Sequence, residues 1–356
     1  MIAEIKVGDS PFSKIIYYEE TMKKYIITLL FFLSTSFIHA NDTYFYTSGG
    51  NLIPAEETDI TVEMKSEVIS IVLQENFYEV TVDFDFYNSG KTVDLLVGFP
   101  FFEAGISGHG KFYDFKCWTN EVLTDYSDQP LVREFSNRNF DEPVLEKAYT
   151  RKINFPEKTT TKTRVYYKSE YGLDTDGSII KYLYGTGSSW KGNIGKMTII
   201  IENKIQYEYL DNIKVPGNVP KFMRIADNKW EAHLYNIEPE YKDCITIHTM
   251  DILDNTGPRA FPTYGFSFRD HEATPIWLFW YTAPQLRIIR NTIYALHGYE
   301  FKSEDLRKLF SDWGSHWYPE YKINPNFTDD DLSEIEKKNI KMLYEEEQNR
   351  KKLYLD

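Results

Sequence analysis

The chain has 356 residues, of which 42% are hydrophobic and 16% aromatic. That length exceeds one ordinary domain and fits about two or three, each with its own core. The formal net charge is −14, and lysines and acidic residues balance within residues 1–40, so the rest of the chain carries the whole excess. An acidic surface repels phosphate backbones, and no basic stripe with interleaved aromatics occurs. Nucleic acid is therefore excluded as a predicted partner.

Residues 22–40 have the three parts of a secretory signal peptide: two lysines, an apolar run and a region of small residues that ends at Ala40. The apolar run is shorter than the roughly 20 residues of a membrane-spanning helix. We therefore predict cleavage between Ala40 and Asn41, and a mature chain without a membrane span in the periplasm or outside the cell. Residues 1–21 make a poor start for a signal peptide, and we interpret them as an extension upstream of a true start at Met22.

Alternating apolar residues predict a β-rich domain over residues 41–160. The alternation is clearest from Tyr78 to Phe86, where every second residue is apolar. Asn88-Ser89-Gly90 supplies turn residues before the next apolar run, so we predict a hairpin there. The same period of two occurs in two shorter sets and predicts that each set forms the buried face of a strand: Ile60, Val62 and Met64, and then Val68, Ser70 and Val72.

Short strands continue over residues 161–280, as a second β-rich domain or as a continuation of the first. Their spacing is typical of antiparallel sandwiches or barrels. The predicted strands are 163–168, 179–184, 197–201, 229–235 and 245–252. The predicted fold class is α+β, with N-terminal and middle antiparallel β-sandwich-like domains followed by a small α-helical C-terminal domain.

Helical spacing of apolar residues predicts this C-terminal domain over residues 284–356. Gly298 is placed to end the first helix in the left-handed conformation. Three helices are expected, the first with Leu286, Ile289, Ile293 and Leu296, the second after Ser303 with Leu306, Leu309 and Phe310, and the third capped by Thr328, ahead of Asp331, Leu332, Ile335 and Leu343.

A five-residue motif, Tyr294-Ala295-Leu296-His297-Gly298, lies in the first of these helices. Together with Arg290, Asn291, Tyr299 and Trp317, it resembles the YARHG domain of exported bacterial proteins, over about residues 284–345. Leu296 replaces the central Arg of the family motif, which puts any role of that Arg in doubt. The resemblance implies export and a helical module, and it implies no activity.

Two stretches of the β-rich part resemble a family of exported bacterial proteins without an assigned activity. The first runs from Phe86-Tyr87-Asn88-Ser89-Gly90 to Pro100, and the second is the Thr-Gly-Ser-Ser-Trp-Lys-Gly-Asn-Ile-Gly segment 186–195. This resemblance implies architecture and export.

No serine-hydrolase elbow, zinc-binding helix, phosphate loop or dinucleotide fingerprint occurs in the sequence. Histidine and cysteine spacing indicates no metal site, so we predict no catalytic residue, metal or cofactor. Asp174-Thr175-Asp176-Gly177-Ser178 has the carboxylate spacing of a calcium loop, but Gly185 stands at the last ligand position, and a hairpin turn is the better interpretation. Cys117 and Cys244 either pair in an oxidising compartment or remain thiols.

The candidate binding residues are the rings of one loop, Trp313, His316, Trp317 and Tyr318. Aromatic faces suit sugars, peptides and apolar protein surfaces. The alternative is that these rings close the core of a small helical domain. Arg290 and Asn291 are expected to hydrogen-bond carbonyls or carboxylates that fix this loop.

The sequence therefore predicts a secreted or periplasmic non-enzymatic envelope protein. It would bind or scaffold through its β domains and its helical module, with an envelope protein or glycan as partner. One alternative is a hydrolase of envelope glycan or peptide that uses carboxylates such as Asp270 or Glu272, near the aromatic run 277–281. Another is a surface adhesin or sensor domain.

Overall fold

A computed structural model of the chain describes residues 43–48, 51–54, 60–103, 112–130, 144–174, 177–240, 243–252, 268–313 and 321–354. In these ranges, seventeen strands precede three helices. The architecture confirms the predicted fold class, a β-rich body followed by a helical C-terminal module. The signal peptide and its cleavage point at Ala40 and Asn41 lie outside the described residues.

The strands, in chain order, are β1 (Thr43–Ser48), β2 (Asn51–Pro54), β3 (Val62–Leu73), β4 (Tyr78–Asn88), β5 (Val93–Glu103), β6 (Phe112–Thr119), β7 (Val122–Thr124), β8 (Ser127–Pro130), β9 (Val144–Phe155), β10 (Thr160–Ser169), β11 (Gly172–Asp174), β12 (Gly177–Leu183), β13 (Ile194–Asn203), β14 (Glu208–Lys214), β15 (Met223–Ala226), β16 (Lys229–Ile237) and β17 (Cys244–Asp251). The five strands predicted beyond residue 161 correspond to β10, β12, β13, β16 and β17. Period and turn chemistry therefore located these strands correctly.

The strands form three sheets. Their orders are β2-β1-β5-β9-β8, β15-β16-β13-β3-β4-β10-β6-β7 and β11-β12-β17-β14. Strand β13 runs parallel to β3, and the other pairings between described strands are antiparallel. The eight-stranded sheet takes strands from both sides of residue 160, so the two predicted β-rich regions contribute strands to one sheet.

A β-bulge in β3 changes which side chains face the core. The register of β3 against β4 shifts between Met64 and Ser66, so the alternation changes phase there. As a result, Ile69, Ile71 and Leu73 are buried. The second apolar set of this strand, Val68, Ser70 and Val72, lies on the opposite, half-exposed face, and its assignment to the predicted buried face was wrong.

The hairpin predicted at Asn88-Ser89-Gly90 is also wrong. Strand β4 pairs with β3 and β10, whereas β5 pairs with β1 and β9 in the five-stranded sheet. At this turn the chain therefore passes from one sheet to another. Phe86 of β4 and Phe155 of β9 make an edge-to-face contact between the two sheets, with ring centroids 5.8 Å apart.

The three helices are α1 (Ala283–Leu296), α2 (Glu304–Trp313) and α3 (Glu334–Tyr354). The prediction that Thr328 caps α3 is wrong. Thr328 precedes a single 3-10 turn, which the Asp331 N–H closes by donating to the Thr328 carbonyl at 3.0 Å, and the Thr328 N–H donates to Asp331 Oδ2 at 2.8 Å. The cap of α3 is Ser333, because its hydroxyl accepts from the Glu336 N–H at 3.2 Å, and its own N–H donates to Glu336 Oε2 at 2.8 Å.

The helical module shares a hydrophobic core with the four-stranded sheet. Tyr209 and Met250 of that sheet pack in one buried cluster with Leu286, Ile289 and Leu343 of the helices. A buried glutamine of α1, residue 285, adds hydrogen bonds from its Nε2 to the carbonyls of residues 205 and 208, at 2.9 and 2.7 Å. Helices and sheet are therefore joined by burial and by satisfied polar groups. None of the helices in the described ranges combines the length and apolar character that crossing a bilayer demands.

Candidate functional site

An ion pair between Arg290 and Glu347 joins α1 to α3. Arg290 Nη2 donates to Glu347 Oε2 at 3.0 Å, and the Glu347 side chain is only 2% exposed. Lys351, one turn further along α3, donates to the other oxygen of that carboxylate at 2.6 Å. The Arg290 guanidinium also lies over the Tyr344 ring, 5.4 Å from its centroid. A buried carboxylate costs free energy unless it is paired, so the two cations make the burial of Glu347 possible.

His297 and Arg269 share a second buried carboxylate, Glu336, at the start of α3. His297 Nε2 lies 2.9 Å from Glu336 Oε1, and Arg269 Nε donates to the same oxygen at 3.2 Å. Burial raises the pKa of Glu336, but hydrogen bonds from His297, the Ser333 N–H and Arg269 outweigh it and hold the pKa below its ordinary value of 4.5. The motif histidine thus fastens the end of α1 to the start of α3. We call Arg290, His297, Glu336 and Glu347 the ionic junction.

Gly298 ends α1 in the left-handed conformation, with φ of 79°. The N–H groups of Gly298 and Tyr299 donate back to the carbonyls of Ala295 and Tyr294, at 3.0 and 3.1 Å. This is the hydrogen-bond pattern of a Schellman motif, as the sequence led us to expect of this glycine. A Cβ at residue 298 would lie 2.5 Å from the Lys322 carbonyl oxygen. Both the backbone conformation and the close approach therefore require glycine.

The remaining motif residues support the same helix end. Asn291 Nδ2 donates to the Arg287 carbonyl at 2.7 Å, one turn back in α1. The rings of Tyr294 and Tyr299 lie 5.4 Å apart, and both contact Phe327 edge-on. The motif positions therefore act together in packing and hydrogen bonding within the module.

Asn339 is a further linking residue, and sequence reasoning missed it. It is fully buried, and its Nδ2 donates to the carbonyls of Phe268 and His271 at 2.6 and 2.7 Å. Its Oδ1 accepts from the Ala273 N–H at 2.8 Å. The available signal was its position four residues before Leu343, on the apolar face of a helix. Asn339 ties the segment that precedes α1 to the middle of α3.

The YARHG domain family model matches residues 268–348. The chain therefore contains a YARHG domain in its C-terminal part. The match begins at residue 268, upstream of the predicted start near 284. The bonds from Asn339 and Glu336 to the segment 268–273 explain this start, because they make that segment part of the packed domain.

The chain has no match among curated proteins. Among solved structures it is similar to a candidate nutrient-binding protein from Legionella pneumophila, with 20% identity and a TM-score of 0.47, over 86% of this chain and 97% of that one. It is also similar to the M1 zinc metallopeptidase from Deinococcus radiodurans, with 8% identity and a TM-score of 0.29, over 53% of this chain and 42% of that one. The chain thus spans less than half of the peptidase, and neither likeness is strong enough to transfer an activity.

Upstream of the YARHG domain, the stretch 86–100 contains Asn88, which is fully buried. Its Nδ2 donates to the carbonyls of Phe155 and Lys91, both at 2.8 Å. Its Oδ1 accepts from the Gly90 N–H at 2.9 Å and from Thr61 Oγ1 at 2.7 Å. The asparagine therefore satisfies the backbone at the point where the chain changes sheets.

The second stretch meets the first one in space. Trp190 is fully buried, and its ring centroid lies 4.4 Å from that of Phe86 and 5.8 Å from that of Phe155. The neighbouring Lys191 donates from its backbone N–H to the Val62 carbonyl at 3.0 Å. We call Phe86, Asn88, Phe155 and Trp190 the aromatic junction. The sequence did not predict this contact, because the two stretches lie far apart in the chain and no local pattern connects them.

The candidate binding loop lies almost wholly outside the described residues. The backbone of Trp313 forms the last residue of α2, while His316, Trp317 and Tyr318 fall in the segment 314–320, which is outside the described ranges. The expected support of this loop by Arg290 and Asn291 stays a prediction for the same reason.

The carboxylates considered for a hydrolase, Asp270 and Glu272, are exposed. Glu272 accepts from Lys338 Nζ at 3.0 Å in a surface ion pair. In the aromatic run, Tyr281 is buried against Tyr209, with ring centroids 4.5 Å apart. Much of this run thus contributes to the core. Within the ranges described, no group of three or more His, Cys, Asp or Glu residues is arranged to hold a metal ion.

The two cysteines are buried thiols on different sheets. Cys117 on β6 donates from Sγ to the Thr124 carbonyl at 3.3 Å. Cys244 lies on β17, and burial raises the pKa of its thiol to about 12. A buried thiol with so high a pKa reacts slowly, since the thiolate is the reactive form. Of the two states that the sequence left open, this structure has the thiols. The supposed calcium segment is the β11–β12 hairpin, in which Asp174 pairs with Gly177.

Proposed function

We propose that the protein is exported and works in the periplasm or outside the cell as a non-enzymatic envelope protein, with its YARHG domain as the docking module. The observation that supports this most directly is the use of the motif side chains. Arg290 and His297 are held by buried carboxylates of the same domain. The motif therefore builds a support for neighbouring segments, and the Arg290 and His297 side chains are not presented to a substrate.

The part that contacts the partner is proposed to be the aromatic loop of Trp313, His316, Trp317 and Tyr318. It begins at Trp313, the last residue of α2, and α2 packs through Leu306 and Phe310 onto Phe301. A loop anchored on a packed helix can present aromatic rings at a low entropic cost. An adhesin or sensor would use the same rings and differs only in its partner.

Export is tested by fractionating cells that produce the protein from the printed sequence and by sequencing the N-terminus of the product. We expect an envelope or extracellular product that begins at Asn41. An unprocessed product in the cytosol would overturn the proposal.

Docking is tested with the whole mature chain, because the YARHG domain shares its core with the four-stranded sheet. The immobilised protein is incubated separately with purified peptidoglycan and with solubilised envelope proteins. The double variant Trp317→Ala with Tyr318→Ala should no longer bind the fraction that the unsubstituted protein binds. The control Tyr235→Ala, at a tyrosine on β16 that is 64% exposed, should still bind it. Equal retention by both variants would remove the loop from the proposed role.

A further inference from the structure

A cavity of about 350 Å³ lies between strand β15 and the last turns of α3. It is distinct from the ionic junction and from the aromatic loop. Its lining comes from Arg224 on β15 and from six residues of α3, Glu346, Asn349, Arg350, Lys352, Leu353 and Tyr354. Three cationic side chains therefore face one carboxylate, in a chain whose overall charge is −14.

Arg224, one of the two arginines of this cavity, is held in place by three backbone carbonyls. Arg224 donates to the carbonyls of Asp227, Phe279 and Tyr281, and its guanidinium lies 4.6 Å from the Trp230 ring centroid. Neutral carbonyls fix the geometry of a guanidinium without cancelling its charge. The Arg224 side chain is thus a positioned cation with 8% exposure.

Arg350 is also fixed, and part of its fork is unused. Its Nη2 donates to the Leu278 carbonyl at 2.5 Å, and its Nε donates to Glu346 at 2.8 Å. The residue is 3% exposed, and its Nη1 has no hydrogen-bond acceptor among the described residues. A buried donor without an acceptor is costly, so the described residues leave this side of the Arg350 guanidinium unsatisfied.

The electrostatic balance around the arginines favours an anion. Burial, together with the nearby charge of Arg350, lowers the pKa of Arg224 to about 10, against opposing contributions from Asp227, Tyr354 and Glu346. Asp227 lies 3.7 Å from Arg224, but both of its oxygens also accept from the Ala283 N–H. Glu346 pairs with Arg350 at 2.8 Å. The negative end of the α3 dipole opposes an anion here, but it amounts to about half a charge, against two buried guanidiniums.

We propose that this cavity binds a small carboxylate ligand with an apolar substituent, such as the carboxyl end of an amino acid or a short peptide. The guanidinium groups match the planar carboxylate, and Leu353 and Tyr354 supply an apolar wall for the substituent. The volume lies within the range of small-molecule sites, roughly 300–1,000 Å³. This site is independent of the proposed docking role, and either can fail without the other.

Calorimetric titration of the purified protein with N-acetyl-leucine tests the site. N-acetyl-leucine amide and inorganic phosphate serve as matched probes. We expect binding of the acid, a loss of about tenfold or more in affinity for the uncharged amide, and weaker binding of phosphate. Equal binding of acid and amide, or no binding of the acid, overturns the site. Phosphate that binds as tightly as the acid overturns the carboxylate assignment.

Location is tested with substitutions that leave the structural arginines in place. Asn349→Asp adds a negative charge to the cavity wall at constant shape and should weaken binding of N-acetyl-leucine roughly three- to tenfold. Lys352→Gln should weaken it in the same direction. The control Asn326→Asp makes the same change at an exposed position outside the cavity and should leave the affinity unchanged. If Asn349→Asp binds as tightly as this control, the ligand is not in this cavity.

Discussion

The aromatic junction and the ionic junction perform the same task with different physical chemistry. Each brings together segments that are distant in sequence, and each contains residues that carry a family resemblance. The aromatic junction packs Trp190 between Phe86 and Phe155, with Asn88 satisfying the turn. The ionic junction instead buries two carboxylates and neutralises them from other elements. Motif residues in this protein therefore mark structural joints, and the two joints should respond differently to substitution and to pH.

Loss of the central ring should have the largest effect. Trp190→Ala removes a fully buried side chain between two sheets and should lower the free energy of unfolding by about 3–5 kcal/mol. Urea denaturation followed by circular dichroism measures this difference. Trp277→Ala, at a tryptophan that is 45% exposed, is the control and should cost under about 1 kcal/mol. Equal losses would show that the aromatic junction is not a stabilising centre.

The sequence predicted the strands and helices of the two junctions better than it predicted which of them contact each other. Alternation located β4 and β10, and helical spacing located α1, because both patterns are local. The bulge near Lys65 and the change of sheet after Asn88 leave no local signal, since each depends on which strand pairs with which. Burial of Glu336 and Glu347 was equally hidden, because charged residues on a helix are ordinarily exposed. The cavity between β15 and α3 unites residues more than a hundred positions apart.

The ionic junction should be the next most sensitive. Arg290→Ala leaves Glu347 buried with Lys351 as its remaining cation, and we expect a loss of about 2–4 kcal/mol in the free energy of unfolding. Replacing both partners by apolar residues, Arg290→Met with Glu347→Leu, should recover most of the loss, since no charge is then stranded. A double variant as unstable as Arg290→Ala would mean that shape, and not charge burial, governs this contact.

Two glycines, one in each family-like stretch, allow the cost of a positive φ to be separated from the cost of a close contact with a new Cβ. Gly298 and Gly192 both have positive φ, at 79° and 69°, but only a Cβ at residue 298 would meet neighbouring atoms. Gly192→Ala should cost about 1 kcal/mol from conformation alone, and Gly298→Ala about 2–3 kcal/mol because the Lys322 backbone must also move. Thermal unfolding of the two variants side by side gives the difference. Equal costs would exclude the close approach as the reason for the motif glycine.

The smallest expected effect is a difference between the two junctions in how their contribution to stability depends on pH. Hydrogen bonds from His297, Ser333 and Arg269 hold the pKa of Glu336 below 4.5 despite its burial. A carboxyl whose pKa is lower in the folded than in the unfolded state contributes stability that is present above the unfolded pKa and is lost as the pH falls through the folded pKa. The deficit of Glu336→Gln relative to the unsubstituted protein should therefore be full at pH 7 and should shrink on acidification below pH 4.5.

The deficit of Trp190→Ala should not change over the same pH range, because Trp190, Phe86 and Phe155 carry no titrating group. Urea titrations of both variants at a series of pH values make the comparison. If the Glu336→Gln deficit persists unchanged in acid, its carboxylate charge contributes nothing to the joint. The ionic junction would then be stabilised by packing and not by charge, as the aromatic junction is.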